Sequence, residues 1–224
     1  KTRNSTSQCI YLYMREISMN NIFRFFAFLL VLQSFLFAQT GWVQQPSGIN
    51  KTLNTGFFIN DNTGYAAGNS GVILKTINGG SNWIVVYNQP RYDILAVTFL
   101  DANTGWAFMK GNVNDSSFVI KTTNSGSLWA KTFIDTGSFQ NNLAGLQFTG
   151  VNTGYLANSH GLSRTVNGGS SWSTLNSGVI LPTCLSFINA STGWVAGYQS
   201  SMFKTTDSGL NWLQQFSSQP STNS

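Results

Sequence analysis

The sequence predicts an all-β chain folded as a β-propeller of four-stranded antiparallel blades. Three observations carry that expectation. A pattern of about forty residues, the length of one propeller blade, is written four times. A tryptophan closes each copy, and the steps from Trp83 to Trp129, Trp172 and Trp212 are 46, 43 and 40 residues. Charge is scarce: Asp, Glu, Lys and Arg make up 8% of the 224 residues, against roughly 25% in an average soluble domain. Gly, Asn, Ser and Thr take the polar positions instead, and these residues build hairpin turns through positive φ and side-chain bonds to nearby backbone. Hydrophobic residues at 42% and aromatics at 14% exclude a disordered chain.

The elements follow in order. Met19 opens a stretch with the layout of an export signal. Asn20, Asn21 and Arg24 form a short positive region, residues 25–37 an apolar run interrupted by Gln33 and Ser34, and Ala38 the small residue before a cut ahead of Gln39. Residues 19–38 are therefore expected to be a cleaved signal peptide, and residues 1–18 an upstream, non-native extension. The apolar run is 13 residues long, whereas a spanning helix needs about 20. No stable transmembrane segment is expected after cleavage, and the product is placed outside the cytoplasm: extracellular, at the cell surface or in the periplasm. Cys9 falls in the leader, which leaves Cys184 without a partner for an internal disulfide. Matched to Val97 and Leu146, Cys184 is expected to be a buried structural thiol.

The propeller is expected over residues 39–216. Trp42 is assigned to an orphan outer strand at about residues 40–46, and four units follow at about 53–88, 94–134, 143–176 and 182–216, with a truncated tail at 217–224. The first unit runs from Phe58 through Asn62, Thr63, Gly64 and Tyr65 to Lys75, Thr76, Asn78, Gly80 and Trp83. The second has Phe99, Thr104, Gly105, Trp106, Lys121, Thr122, Asn124, Gly126 and Trp129 at the same places. The third has Phe148, Thr153, Gly154, Tyr155, Arg164, Thr165, Asn167, Gly169 and Trp172. The fourth has Phe187, Thr192, Gly193, Trp194, Lys204, Thr205, Asp207, Gly209 and Trp212.

Each unit divides into four short strands, placed in the second at residues 95–100, 105–110, 118–122 and 128–133. Short turns between consecutive strands require antiparallel pairing. Such a meander cannot bury both faces alone, and radial stacking of blades solves this. In the turn before each tryptophan, the Asn or Asp side chain is expected to bond backbone N–H groups two residues on, while the last glycine takes a left-handed conformation. The tryptophan is expected to start the outer strand and pack under the hairpin against the neighbouring blade.

The element Lys/Arg-Thr-x-Asn/Asp-Gly/Ser-Gly-x-x-Trp resembles the Asp-box, or bacterial neuraminidase (BNR) repeat. Together with the preceding Phe-x-x-x-x-Thr-Gly-Tyr/Trp, it resembles the photosystem II stability and assembly factor-like propeller family, which is also widespread among exported proteins of non-photosynthetic bacteria. The resemblance covers residues 42–212. It implies a ring of about seven blades, so four complete units are expected to be a fragment of a larger propeller.

Sialidases share the box, but their site needs an arginine triad and a Tyr/Glu pair. From Gln39 onward there are only Arg91 and Arg164 and no Glu, which excludes a sialidase site in this chain. Other Asp-box propellers, such as xyloglucanases, pair two Asp residues. Asp61 and Asp101 fall in the turn between the first and second strands, and Asp207 in a box. Asp93, Asp115 and Asp135 remain, and are expected to be solvated loop residues. No catalytic residue is therefore assigned. His160, the single histidine, has no Cys or carboxylate at ligand spacing, so no metal is assigned. The pairs Gly79-Gly80 and Gly168-Gly169 open no helix, so no phosphate cradle and no cofactor are expected. The formal charge of +5 collects at Lys1, Arg3, Arg15 and Arg24, and from Gln39 on six Lys and two Arg oppose six Asp. A nucleic-acid partner, which needs a clustered basic face, is not expected.

In a propeller meander, the turns between strands 1 and 2 and between strands 3 and 4 share one face. Every constant turn falls there. The variable segments 88–93, 110–117, 134–142, 158–161, 176–183 and 197–201 fall on the other face, with Arg91, Tyr92, Asp93, Lys110, Asp115, Asp135 and His160 as candidate binding residues, since function tends to sit on loops held by a rigid scaffold. The expected function is an exported, non-enzymatic binding or scaffold module of a bacterial cell-surface or secreted protein, with a protein or glycan as partner. One alternative is a fragment of an Asp-box glycoside hydrolase whose catalytic carboxylates lie outside this chain. The other is a photosystem II assembly factor, which would need a basic surface that the nearly neutral repeats lack.

Overall fold

The computed structural model describes residues 43–111, 116–136, 144–199 and 201–215. The expected signal peptide, the upstream extension, Trp42, Asp115 and the tail at 217–224 lie outside the described residues. Contacts divide the chain into Lys1–Gln44 and Gln45–Ser224, and everything below belongs to the second unit. Residues 43–46 carry no strand.

Among the described residues, sixteen strands form four antiparallel sheets of four, and strand order follows chain order in each. The first blade is β1 (Leu53–Phe58), β2 (Gly64–Gly68), β3 (Val72–Thr76) and β4 (Ile84–Asn88). The second is β5 (Tyr92–Phe99), β6 (Gly105–Gly111), β7 (Ser116–Thr122) and β8 (Ala130–Thr136). The third is β9 (Gly145–Phe148), β10 (Gly154–Asn158), β11 (Gly161–Thr165) and β12 (Ser173–Leu175). The fourth is β13 (Pro182–Phe187), β14 (Gly193–Gly197), β15 (Met202–Thr205) and β16 (Leu213–Gln214). The first strands of successive blades touch, β1 against β5, β5 against β9 and β9 against β13, as the inner strands of a propeller must. Bulges in β1, β5 and β13 interrupt their pairing with the second strand of the blade. The bulge in β1 frees Asn54, whose Nδ2 donates to the Ile94 carbonyl of the next blade at 3.0 Å. No described helix is long and apolar enough to cross a membrane.

The glycine before each Tyr or Trp has a packing reason. Phe58, Phe99, Phe148 and Phe187 are cross-strand partners of Gly64, Gly105, Gly154 and Gly193. A Cβ on those glycines would lie 2.5–2.7 Å from the phenylalanine ring. The ring lies flat where a side chain would otherwise stand.

The box is a second fixed point. Thr76, Thr122, Thr165 and Thr205 are buried. Each hydroxyl accepts the glycine N–H four residues on at 2.9 Å and donates to the Asn or Asp Oδ1 at 2.8–3.1 Å. That Oδ1 accepts the backbone N–H four residues further on, at 2.8–2.9 Å. The expected bond two residues on is instead made by the threonine, which accepts the N–H of Asn78, Asn124, Asn167 or Asp207 at 3.3 Å. The turn before β2 is closed in the same economical way: Asn60 Oδ1, Asp101 Oδ1 and Asn189 Oδ1 each accept two N–H groups two and three residues on.

The sequence places four tryptophans under the hairpins, against neighbouring blades. The structure bears this out for three of them, since Trp129, Trp172 and Trp212 each pack against an apolar cluster shared with the preceding blade. Trp83, Trp129, Trp172 and Trp212 directly precede the outer strands and are half-buried. Each meets the phenylalanine of its own blade edge-on, at 6.0–6.2 Å between centroids. Only Trp129 has a ring partner in the preceding blade among the described residues, Tyr87 at 6.2 Å.

Of the four fully buried aromatics among the described residues, Phe108 lies within a strand, and Tyr65, Trp106 and Tyr155 follow the Thr-Gly pair. These three join the blades. Tyr65 stacks on Phe99 at 3.9 Å, Trp106 on Phe148 at 3.6 Å and Tyr155 on Phe187 at 3.8 Å, always the phenylalanine of the next blade. Each also donates a hydrogen bond of 2.9 Å to a box carbonyl of that blade: Tyr65 Oη to Ser125, Trp106 Nε1 to Gly168, Tyr155 Oη to Ser208. The Lys or Arg of the repeat caps the same ring. Lys75 lies 5.6 Å from the Tyr65 centroid, Lys121 5.2 Å from Trp106 and Arg164 5.9 Å from Tyr155. Burial pushes the Tyr65 phenol up to about 12, so this donor stays protonated at neutral pH. Three apolar clusters sit at these joints, between the first and second, second and third, and third and fourth blades.

Cys184 is exposed rather than buried. Counting back from the phenylalanines, its true counterparts are Ala96 and Gly145, one position from Val97 and Leu146. Period-two alternation turns that one-residue shift into the opposite face of the sheet. Ala96 is covered by the third blade, in the cluster with Leu146 and Phe148. Among the described residues no sheet lies against the corresponding side of β13.

Candidate functional site

Hairpin connectivity puts the turns before β2 and β4 of the first blade, and their equivalents, at one end of the strands. The loops after β2, β6, β10 and β14 and the blade-to-blade connections lie at the other. Backbone bonds tie the members of each set: Gly79 N–H to the Asn62 carbonyl at 2.9 Å on the box face, Gln89 N–H to the Gly71 carbonyl at 3.1 Å on the loop face.

On the loop face the candidates gather at the second blade. Asp93 pairs in register with Lys110, Lys110 with Ser117, and Ser117 with Asp135. One row therefore crosses all four strands. Arg91 precedes it, exposed, and Tyr92 begins β5, half-buried. Asp115 lies outside the described residues, and of Asp135 only the backbone is described. His160 stands apart at the tip of the β10–β11 hairpin, its N–H bonded to Asn158 Oδ1 at 2.8 Å. Asp93 serves the backbone, since its Oδ1 accepts the Ser70 N–H at 2.9 Å and so supports a residue held at φ 58°.

Tyr92 leads to residues that the sequence did not single out. Its ring meets Phe118 edge-on at 5.4 Å, and Lys131 Nζ lies 3.7 Å from the Phe118 centroid and 4.7 Å from that of Tyr92. Lys131 also donates to Tyr92 Oη at 3.1 Å. Tyr87, from the first blade, packs into the same cluster and its hydroxyl reaches Met109 Sδ at 3.9 Å. Burial, then the neighbouring Tyr92, raises the Tyr87 phenol above its ordinary range. The result is a rim of aromatic faces and one exposed ammonium at the seam of two blades. Phe118 and Lys131 lie in regular strand pattern, and their contact with Tyr92 joins β5 to β7 and β8 across the sheet, which sequence spacing does not encode. A hollow of about 420 Å³ lies nearby on the first blade, lined by Ile49, Lys51, Ser70, Val72, Val85 and Asn88.

Two of the described acidic groups hold turns. Asp101 is held below the usual carboxylate range by the N–H groups of Asn103 and Thr104. Asp207 is brought down to about 2, first by the Asn211 backbone N–H, then by the side chains of Asn211 and Thr205. Among the described residues no cluster of three or more His, Cys, Asp or Glu is arranged to hold a metal ion.

No family profile and no curated protein matches the chain. Solved structures do. YCF48 bound to D1 peptide superposes with a TM-score of 0.56 at 20% identity, over 80% of this chain and 56% of that one. YCF48 from Cyanidioschyzon merolae gives a TM-score of 0.58 at 18% identity, over 81% and 61%. The GH74 enzyme of Niastella koreensis gives 0.63 at 16% identity, over 80% of this chain and 30% of the enzyme. The likeness is one of fold, and the chain spans less than two thirds of each of these structures.

Proposed function

We propose that this chain is an exported, non-enzymatic propeller that binds an extended segment of a protein at the loop-face rim of its second blade, as a module of a bacterial cell-surface or secreted protein. The observation that carries the reading is the cluster of Tyr92, Phe118 and Lys131 beside exposed Arg91. Aromatic faces and a long cation suit peptide side chains and carbonyls, and Tyr and Arg dominate binding hot spots. YCF48, a propeller of similar fold, is known bound to a D1 peptide, which supports a peptide as the ligand class. Three of the described carboxylates support the non-enzymatic part, since Asp93, Asp101 and Asp207 each hold a turn or loop. The second reading, a piece of a glycoside hydrolase, draws on the likeness to GH74 folds and needs an acid pair from elsewhere.

The test compares the whole chain with the double variant Arg91→Ala, Lys131→Ala on peptide and glycan arrays. Both side chains are exposed, so an unchanged melting temperature is expected. Peptide binding should fall at least about tenfold, the cost of losing a modest hot spot. Peptide binding that is equal in both proteins removes this rim as the site, and signal confined to glycans moves the reading to carbohydrate.

A further inference from the structure

The turns of the box face carry aliphatic side chains that the repeat does not require. Leu128 stands where the other copies have Asn82, Ser171 and Asn211, and Leu210 where they have Ser81, Ser127 and Ser170. Ile77 and Val166 stand where the second and fourth copies have Thr123 and Thr206. These four side chains are 64–74% exposed. Leu100 and Val151, on the turns before β6 and β10, are exposed as well. The second and third blades each have a blade on either side, so the exposure of Leu128 and Val166 belongs to the end of the strands and not to a lateral face.

The same turns satisfy their own backbone. In the second blade the consecutive N–H groups of residues 124–128 all bond within the chain: Asn124 and Gly126 donate to Thr122 Oγ1, Ser125 to the Asn103 carbonyl, Ser127 to the Asn124 carbonyl and Leu128 to Asn124 Oδ1. Open donors would tie such a turn to water. Segments 77–82, 123–128, 166–171 and 206–211 contain one charged residue, Asp207, and its carboxylate is engaged by Thr205 and Asn211. The repeat's cations are half-buried at this end, where Lys75 Nζ donates to the Ser125 carbonyl at 3.1 Å.

We propose that the box face docks on a lipid surface, with Ile77, Leu128, Val166 and Leu210 entering the boundary between headgroups and acyl chains. The tips sit on separate turns across four blades with uncharged polar residues between them, so they form no groove for a folded partner. Lipid takes up each tip where it stands. Interfacial binding scales with the apolar area buried plus attraction between charges. With one engaged carboxylate on the box turns, the apolar part decides, and zwitterionic lipid suffices. This face is independent of the peptide rim at the other end of the strands.

Amide hydrogen exchange of the whole chain with and without phosphatidylcholine vesicles tests this, read segment by segment because the apolar run at 25–37 can itself hold a chain on lipid. Vesicles should slow exchange in residues 123–128 and 166–171 and leave the loop-face segments 88–93 and 158–161 unchanged. The triple variant Leu128→Asn, Val166→Thr, Leu210→Ser takes residues that other copies carry at the same places. It should keep its melting temperature and lose the slowing. The variant Arg91→Ala, Lys131→Ala should retain the slowing, which separates this face from the rim. Unchanged exchange in both box segments overturns the proposal, as does slowing that survives in the triple variant or falls on the loop face instead. Slowing that arises without vesicles as protein concentration rises would assign the face to a second copy, and slowing confined to vesicles containing phosphatidylglycerol would assign it to charge. Either result also overturns the proposal.

Discussion

The joint between the second and third blades and the outer surfaces of the first and fourth use the same residue types. In the joint, Trp106 lies 3.6 Å from Phe148, almost parallel at 7°, and is fully buried. At the outer surfaces Trp194 keeps its lysine cap but is half-buried, and Phe58 keeps its tryptophan edge but is half exposed. The same side chain is a core residue in one place and a surface residue in the other. What changes is whether a neighbouring blade completes the stack, so the repeat encodes a relation between blades as much as a blade.

The comparison breaks most visibly at the tryptophans that follow Thr-Gly. Trp106→Ala should cost about 3–5 kcal/mol, the range for a large buried aromatic, and Trp194→Ala distinctly less, because its ring is only half-buried. Urea titrations of both proteins give the two numbers. Similar losses would mean that the joint adds little to what each blade does alone. A smaller effect is expected at the glycine under the ring. Gly105→Val should cost about 1–3 kcal/mol by overpacking, because the new side chain meets the Phe99 ring. Gly64→Val should cost less, since its neighbour Phe58 is half exposed and has more room to yield.

How much of this is legible in the sequence differs from residue to residue. The repeat pattern announces four units of four strands, since turn residues at fixed offsets are local signals. Thr76 and its equivalents are readable as box positions, and Gly80, Gly126, Gly169 and Gly209 do take φ between 83° and 92°. The partner of the aromatic after Thr-Gly is not legible, because Tyr65 bonds a carbonyl 60 residues away and no local spacing encodes that. The share of burial between the two tryptophan classes escapes the pattern for the same reason. Cys184 shifts by one position between sequence and structure, and in a strand one position is the whole difference between core and surface. At the loop face, the pattern singles out Arg91 and Tyr92 but not Lys131, whose contact with Tyr92 exists only once β5 and β8 share a sheet.

Two titrations sharpen the contrast at smaller scale. Tyr65 is raised to about 12 by burial, against about 10 for an unfolded tyrosine. The group resists ionisation in the folded state, so its contribution is complete below about pH 10 and is lost as pH rises through about 12. Tyr65→Phe should remove part of the alkaline loss of stability seen by fluorescence. At the acid end, Asp207 is lowered to about 2. Its contribution is present above the unfolded value of about 3.9 and disappears as pH falls toward about 2. Asp207→Asn, which installs the residue found at 78, 124 and 167, should leave neutral-pH stability nearly unchanged and flatten the acid limb. An unchanged acid limb would assign it to other carboxylates.

The most direct measurement of the joint is a double-mutant cycle on Trp106 and Phe148, each replaced by Leu, followed by urea unfolding. Stacked aromatic pairs contribute about 0.5–1.5 kcal/mol beyond the area they bury, so the two losses should be non-additive by that amount. The same cycle on Trp194 and Phe58 should be additive within about 0.3–0.5 kcal/mol, because no contact joins these two rings among the described residues. Additive losses at Trp106 and Phe148 would contradict the account, because the stack would then hold no energy that depends on both rings.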